Sequence, residues 1–330
     1  MLVIASAGCG SHDRGPRVFV SNENAGTVSV IDPAKRAVVA TITVGKRPRG
    51  LRVSRDGGSL YVALSGSPKA APGVDESTLP PPDRKADGIG VVDLDKLELV
   101  RVLPGGQDPE SFDLVGDDLL VVSNEETSEA TLIDLDDRAI RARVVIGKEP
   151  EGVTTAPDGL VWITSEGDGL ASALDPKRRE VVAIVPTGQR PRAIAFTRDG
   201  RLGVVTNEND GTLTLIDGKN HASLGSIALP RGAGSPPRPM GVAIDRDDHT
   251  AYVTTGRAGS VAVIDLDKRA VLRTIAAVGA RPWGIAVGKD GLVYTANGPS
   301  NDVSILDPKT ARVVQRIPTG GSPWGVAVTP

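Results

Sequence analysis

The residues best suited to chemistry in this 330-residue chain recur at equivalent places in a repeated pattern. An X-Pro-X step occurs seven times, and a charged residue precedes the proline in six of these steps. Four short segments, "SNEN", "SNEE", "TSEG" and "TNEN", add Glu23, Glu125, Glu166 and Glu208 at equivalent positions. The candidate ligand-binding residues at these positions are Arg49, Glu110, Glu151, Arg192, Arg238, Arg281, Trp283, Trp324, Glu125, Glu166 and Glu208.

Such a set is compatible with more than one role. Guanidinium groups grip carboxylate or phosphate groups and tryptophan rings stack against a ring or sugar, so the set favours an amphipathic or anionic ligand. Alternatively, arginine and glutamate pair between neighbouring repeats, and tryptophan packs over the junctions. In a third interpretation a carboxylate such as Glu166 acts as a general base, which a raised pKa on such a glutamate beside a cavity would favour.

Histidine, cysteine and metal chemistry are not expected. The three histidines are His12 in the N-terminal tail and His221 and His249 in turns away from the candidate residues, so an axial haem ligand is not available and no cofactor is expected. The single cysteine, Cys9, cannot form a disulfide framework. Carboxylates suit Ca²⁺, but glutamates ringed around a mouth stand too far apart for contacts of about 2.3–2.6 Å to one ion. Only neighbouring pairs, Glu125 with Glu166 or Glu166 with Glu208, could cooperate, and no metal is expected.

Two independent markers count the repeats. The prolines of the X-Pro-X steps stand 61, 41, 41, 48, 43 and 41 residues apart. Aspartates that end Val-rich segments such as "SVID" also number seven: Asp32, Asp93, Asp134, Asp175, Asp217, Asp265 and Asp307. A period in the low forties with four short strands is typical of a propeller blade. We therefore predict an all-β, seven-bladed β-propeller over residues 17–330, with four antiparallel strands per blade, named A at the axis to D at the outside.

The two ends of the chain are expected to complete one blade. The repeats begin at a strand B, residues 17–21, and end with a lone strand A, residues 324–329, so the C-terminal inner strand should pair with the N-terminal strands and leave no exposed edge between them. In such blades the D-to-A and B-to-C loops share one rim. Residues 65–88, rich in Pro, Gly and charge, form an insertion in the B-to-C loop of the second blade, and residues 229–239 form a shorter one on the same rim.

Composition and the N-terminal segment narrow the partners. A net charge of -3 with 3% aromatic residues provides neither a basic surface nor stacking platforms for nucleic acid. No run of about 18 apolar residues predicts a transmembrane span, and a monomer is expected. Residues 1–16 resemble a lipoprotein-like signal and tether, with Ser6-Ala7-Gly8-Cys9 in the place of a lipobox and Cys9 as the lipidation site. The expected location is therefore the bacterial periplasm or a membrane anchor facing it.

Four segments resemble the YVTN-type, or YncE-like, β-propeller repeat family: "AYVTT" (251–255), "VVTNENDGTLTLID" (204–217), "TGQRPRAIAFTRDG" (187–200) and "VYTANGPSNDVSILDPKT" (293–310). The resemblance extends over residues 17–330 and implies an exported bacterial propeller, often without assigned catalysis. It thus favours a non-catalytic protein that binds a partner protein or small ligand at the rim. Distant relatives of that family include haem d1 domains, muconate-cyclising lactonases and streptogramin lyases. The alternative is therefore a lactonase-like or streptogramin-lyase-like hydrolase or lyase that uses rim carboxylates.

Overall fold

A computed structural model describes residues 15–69, 78–232 and 234–329. These residues form seven four-stranded antiparallel sheets, which are the blades of a β-propeller. In the order A to D, blade 1 contains β28 (Pro323–Val328), β1 (Val18–Asn22), β2 (Thr27–Asp32) and β3 (Ala37–Thr43). Blade 2 contains β4 (Leu51–Val53), β5 (Ser59–Leu64), β6 (Gly88–Asp93) and β7 (Glu98–Leu103). Blade 3 contains β8 (Pro109–Val115), β9 (Leu119–Asn124), β10 (Glu129–Asp134) and β11 (Ala139–Val145).

The remaining blades follow in chain order. Blade 4 contains β12 (Pro150–Thr155), β13 (Val161–Ser165), β14 (Leu170–Asp175) and β15 (Glu180–Pro186). Blade 5 contains β16 (Pro191–Phe196), β17 (Leu202–Asn207), β18 (Thr212–Asp217) and β19 (Ala222–Ala228). Blade 6 contains β20 (Val242–Ile244), β21 (Thr250–Thr254), β22 (Val261–Asp265) and β23 (Ala270–Ile275). Blade 7 contains β24 (Pro282–Val287), β25 (Val293–Asn297), β26 (Asp302–Asp307) and β27 (Arg312–Pro318). Short 3₁₀ helices occur at Arg84–Ala86 and Gly256–Ala258.

The seven-bladed fold and its closure are confirmed. Strand β28 pairs with β1, with Val328 opposite Val18 and Val326 opposite Val20, so the two ends share blade 1. All seven marker aspartates end a strand C. Their side chains accept backbone N–H groups of the following turn, as Asp32 does from Ala34 at 2.9 Å. The turn chemistry that defined the repeat in the sequence is thus the chemistry that ends each third strand.

The hydrophobic core is divided among the junctions between blades. Seven clusters of buried side chains each span two neighbouring blades. One of them joins Phe19 of blade 1 to Leu60 of blade 2, and another buries Trp162 completely between blades 4 and 5. Because each blade is covered by its neighbours on both faces, the ring holds the inner strands at fixed positions around the axis.

Close backbone contacts at two junctions position the residues of the channel mouth. The Ser21 hydroxyl donates to the Arg49 carbonyl oxygen at 2.7 Å, and the Thr164 hydroxyl donates to the Arg192 carbonyl oxygen at 2.7 Å. A Cβ atom on Gly152 would stand 2.2 Å from the same Arg192 oxygen, so only glycine permits this approach. Arg49 and Arg192 are therefore held from the preceding blade by equivalent backbone contacts.

The insertion leaves the propeller between β5 and β6, as the sequence predicts. Strand A of blade 2 is short, at Leu51–Val53. Cys9 and His12, with most of the predicted leader, lie outside the described residues, as do residues 70–77 of the insertion. Within the described ranges no helix has the length and apolar character needed to cross a membrane.

Candidate functional site

A large cavity opens at the rim formed by the D-to-A and B-to-C loops. Its volume is about 1270 Å³, and nine of the eleven candidate residues line it. Glu166 and Arg238 do not. A second cavity of about 140 Å³ shares four of the lining residues, Glu151, Arg192, Trp283 and Trp324, and is walled mainly by the inner strands. The two cavities together form the mouth and the axial channel of the propeller.

Arg49 of blade 2 is the centre of one ion-pair cluster, hereafter the Arg49 centre. Its guanidinium lies 3.3 Å from Glu23 of blade 1, contacts Glu110 of blade 3, and lies 3.9 Å from Glu125. Glu23 also accepts from Arg47 at 3.3 Å and from Lys69 of the insertion. Three carboxylates and three cationic groups therefore meet across three blades.

Arg192 of blade 5 is the centre of an equivalent cluster, the Arg192 centre. Its guanidinium contacts Glu166, lies 2.8 Å from Glu208 and lies 3.3 Å from Glu151. Arg190 adds contacts of 2.7 Å to Glu166 and 3.5 Å to Glu208. This cluster holds three carboxylates but two cationic groups. Most of the candidate arginines and glutamates thus form ion pairs between neighbouring blades. This was one of the interpretations of the sequence.

The balance of charge sets the pKa values of the buried carboxyls. Burial raises the pKa of Glu23, but Arg49, Lys69 and Arg47 outweigh it, so the pKa of Glu23 is lowered. Burial, followed by the neighbouring Glu151 charge, raises the pKa of Glu166 to about 8 despite Arg192 and Arg190. Burial also raises the pKa of Glu151. With a pKa of about 8, Glu166 retains its proton at neutral pH.

Two tryptophans cover the remaining side of the mouth. The ring centroids of Trp283 and Trp324 lie 5.7 Å apart, with the rings tilted by 37°. The Arg49 guanidinium carbon is 6.0 Å from the Trp324 centroid, and the Arg192 carbon is 5.5 Å from the Trp283 centroid. Each ion-pair centre thus extends into a cation–π contact with one ring of the pair.

A group of three carboxylates on blade 3 has the spacing of a cation site. One oxygen each of Asp108, Glu110 and Glu125 lies within 4.8 Å of the others, and Asp108 also accepts from Ser65. This group differs from the pairs that the sequence indicated. Arg49 contacts Glu110 and approaches Glu125. Its guanidinium therefore already supplies positive charge to two of these three carboxylates.

The described part of the insertion is tied to the blades on both sides of its own. Lys69 contacts Glu23 of blade 1, while Arg84 contacts Glu126 of blade 3. Arg47 donates to the Ser67 carbonyl oxygen at 2.5 Å, and Lys46 lies 2.7 Å from Asp83. Leu79 and the three prolines that follow it line the cavity. The described part of the insertion therefore forms one wall of the mouth.

Several residues fall outside the mouth or were missed by the sequence analysis. Arg238 donates to the Asn209 side chain at 2.5 Å and does not line the cavity. His221 and His249 pair with Asp158 and Asp267 in turns away from it. Arg257 lines the cavity but was not a candidate. The available signal was the B-to-C loop of blade 6, which carries Gly256-Arg257 where blade 1 carries Glu23-Asn24.

No family model matches this chain. One curated protein, PE-PGRS family protein PE_PGRS18 of Mycobacterium tuberculosis, is 47% identical over 49 residues, which are 15% of this chain and 11% of that protein.

Solved structures share the fold at low identity. A functionally unknown protein from Desulfotomaculum acetoxidans aligns with a TM-score of 0.76 and 14% identity, covering 94% of this chain and 98% of its own. A protein from Bacteroides fragilis, provisionally assigned as a 6-phosphogluconolactonase, aligns with a TM-score of 0.76 and 15% identity. The alignment covers 97% of this chain and 100% of that protein's chain. Hydrazine synthase from Kuenenia stuttgartiensis aligns with a TM-score of 0.73 and 18% identity. The alignment covers 87% of this chain and 91% of the hydrazine synthase chain. These likenesses show the propeller fold and carry no activity to this chain.

Proposed function

We propose that this chain is an exported, non-catalytic β-propeller that binds a partner protein or a small ligand at the rim of the D-to-A and B-to-C loops. The cavity of about 1270 Å³ at that rim is the observation that carries the proposal. Propeller loops vary while the blades stay constant, so a large opening walled by charged loops, two tryptophans and an insertion favours recognition at this rim.

The state of the mouth carboxylates supports binding over catalysis. A general base needs an accessible lone pair within hydrogen-bond reach of its proton. Glu166 has the raised pKa that such a base would need, but its side chain is 1% exposed and its two oxygens contact Arg192 and Arg190. Glu151 lines the cavity, yet it lies 3.3 Å from Arg192 and is buried. Both carboxyls therefore stabilise arginines.

The hydrolase or lyase alternative keeps one supporting observation. Two carboxyls with raised pKa values lie beside a cavity, and Glu151 lines it. If the protein were an enzyme of this kind, Glu151→Gln would abolish conversion of the bound molecule while leaving its binding intact.

Membership of the YVTN-type family and export belong to the same proposal. The family is supported by the four repeat segments quoted above together with the seven-bladed ring. Export is supported by the Ser6-Ala7-Gly8-Cys9 segment of the N-terminal leader. On fractionation of bacterial cells that express the chain, we expect it with the membranes, and we expect Cys9→Ser to release it into the soluble periplasm.

Site-specific photo-crosslinking in those cells tests where recognition occurs. A photoreactive amino acid is placed at Ser128 or Leu79 on the rim, and in matched chains at Lys177 or Lys309 in C-to-D turns of the opposite rim. We expect adducts from the rim positions, identified by mass spectrometry of the cross-linked protein or small molecule. Adducts that come equally from the opposite turns, or from those turns alone, would contradict the proposal, as would recovery of a converted product that depends on Glu151.

A further inference from the structure

The arginines of the mouth are of two kinds. The two ion-pair centres engage four of them with carboxylates: Arg47, Arg49, Arg190 and Arg192. Arg257 and Arg281 also line the cavity, but neither forms an ion pair with any side chain in the described part of the chain. Cationic groups that face a cavity without a paired carboxylate are available to an anion from outside.

The backbone places these two arginines on adjacent blades. Arg257 is the central residue of the 3₁₀ helix Gly256–Ala258 in the B-to-C loop of blade 6, and it is exposed. Arg281 precedes Pro282 in the D-to-A loop that enters blade 7, with a left-handed backbone φ of 50°. Its guanidinium carbon lies 4.9 Å from the Trp283 ring centroid. A positive φ is uncommon for arginine and directs this side chain differently from an extended residue.

Electrostatics around Arg281 indicates crowding of like charges. Burial lowers the pKa of this guanidinium, and Arg257, Arg192 and Arg190 lower it further, while Glu208 acts in the opposite direction. Guanidiniums that repel one another in the free protein gain from an anion bound between them, because the anion attracts each of them.

We propose that Arg257 and Arg281 form an anion subsite that holds a phosphate or carboxylate group of a small ligand, whose ring lies against Trp283 and Trp324. The subsite rests on the proposed function and names the chemical class of its ligand. Two guanidiniums suit the several oxygens of one oxyanion. The neighbouring pair of indole rings offers the stacking surface that a planar ring requires.

The opposite wall of the mouth fixes the direction of the ligand. Asp108, Glu110 and Glu125 belong to blade 3, while the anion subsite belongs to blades 6 and 7, across the ring. The carboxylates of blade 3 accept hydrogen bonds, and Arg49 already pairs with Glu110 and Glu125. The anionic end of the ligand therefore lies against Arg257 and Arg281, and its uncharged end lies towards blade 3.

Titration with three small probes tests the subsite. Phenyl phosphate, benzoate and inorganic phosphate are added separately to the full chain at low ionic strength, and binding is followed by calorimetry and by tryptophan fluorescence. We expect phenyl phosphate or benzoate to bind more tightly than inorganic phosphate and to change the fluorescence, because only they carry a ring. Preference between the first two identifies the anionic group.

Arginine variants give the control. Arg257→Gln and Arg281→Gln should each weaken the tighter probe by about tenfold or more, since each removes charge-assisted hydrogen bonds. Arg238 lies in the loop that enters blade 6 but does not line the cavity, so Arg238→Gln should leave the affinity unchanged. Arg257 is exposed, so its variant reports binding even if Arg281→Gln does not fold.

The outcomes separate this inference from the proposed function. Absence of binding by all three probes, or equal affinity in Arg257→Gln and the unchanged chain, overturns the subsite. If rim-specific photo-adducts form while none of the probes binds, the subsite is wrong and rim recognition stands. If neither occurs, both proposals are wrong.

Discussion

The Arg49 centre and the Arg192 centre have the same arrangement of one central arginine and three glutamates, but they differ in the number of further cationic groups. Each places an arginine directly after the proline of an X-Pro-X step, surrounds it with three glutamates and extends to one tryptophan. Arg47 and Lys69 supply two further cations at the first centre. Arg190 supplies one at the second.

This difference of one cation has a chemical consequence. Where Arg49, Lys69 and Arg47 all act on Glu23, the pKa of Glu23 is lowered. Where one cation is missing, the pKa of Glu166 rises to about 8 because burial and Glu151 outweigh the two arginines. A buried carboxylate cluster therefore compensates a missing cation by holding a proton.

The largest expected effect comes from removing the central arginines. At pH 7, Arg192→Met removes the ion-pair partner of the buried Glu151 and leaves Glu166 and Glu208 with Arg190, so we expect the free energy of unfolding to fall by about 3–5 kcal/mol. Arg49→Met removes the ion-pair partner of the buried Glu110, but Glu23 keeps its contacts with Arg47 and Lys69, so this loss should be smaller, about 2–3 kcal/mol. Urea denaturation measures both losses.

An exposed arginine provides the control for that comparison. Arg143 lies on the outer strand β11, and Arg143→Met should change the free energy of unfolding by less than about 0.5 kcal/mol. An equal loss from Arg49→Met and Arg192→Met would show that the extra cations at the Arg49 centre do not matter to stability.

The second effect is a dependence of stability on pH. Between about 4.5 and 8 the folded chain holds a proton on the Arg192 centre that the unfolded chain has released, because the pKa of Glu166 is raised from its ordinary value of 4.5 to about 8. Rising pH therefore favours unfolding in this window, with a slope of at most about 1.4 kcal/mol per pH unit from this group. The contribution is fully present below pH 4.5 and is lost as the pH rises through 8.

Glutamine variants at the two centres separate the causes of that slope. Glu166→Gln removes the titrating carboxyl and should flatten the dependence between pH 5.5 and 7.5, as measured by urea denaturation at several pH values. Glu23→Gln should leave it in place, because the lowered pKa of Glu23 makes its contribution disappear only as the pH falls through that lower value. A slope that survives in Glu166→Gln would assign the proton elsewhere.

Features that depend on local backbone chemistry could be predicted from the sequence. The marker aspartates end seven strands because their side chains bind the N–H groups of the next turn, and that interaction needs only neighbouring residues. The count of blades, the shared first blade and the placement of Arg49 and Trp324 at the mouth follow from the same markers.

Features that depend on contacts between blades could not be predicted from the sequence. Which glutamate meets Arg192 depends on how far blade 4 is rotated against blade 5, and the repeat pattern alone does not contain that rotation. Lys69 lies in an insertion without a counterpart in other blades, so no periodicity pointed to its contact with Glu23. That Arg257 lines the cavity without an ion pair among the described residues is likewise a property of the assembled ring, although its B-to-C loop could be located in the sequence.

The smallest expected effect distinguishes the two tryptophans that join the centres. Trp283 faces two guanidiniums, Arg192 at 5.5 Å and Arg281 at 4.9 Å, whereas Trp324 faces Arg49 at 6.0 Å. Each such contact contributes about 0.5–1 kcal/mol, so Trp283→Leu should lower the free energy of unfolding by that much more than Trp324→Leu. Loss of the contact between the rings is common to both variants and cancels in the comparison. A larger loss from Trp324→Leu in urea denaturation would mean that packing at the junction of blades 7 and 1, and not the number of cations, decides the contribution of each ring.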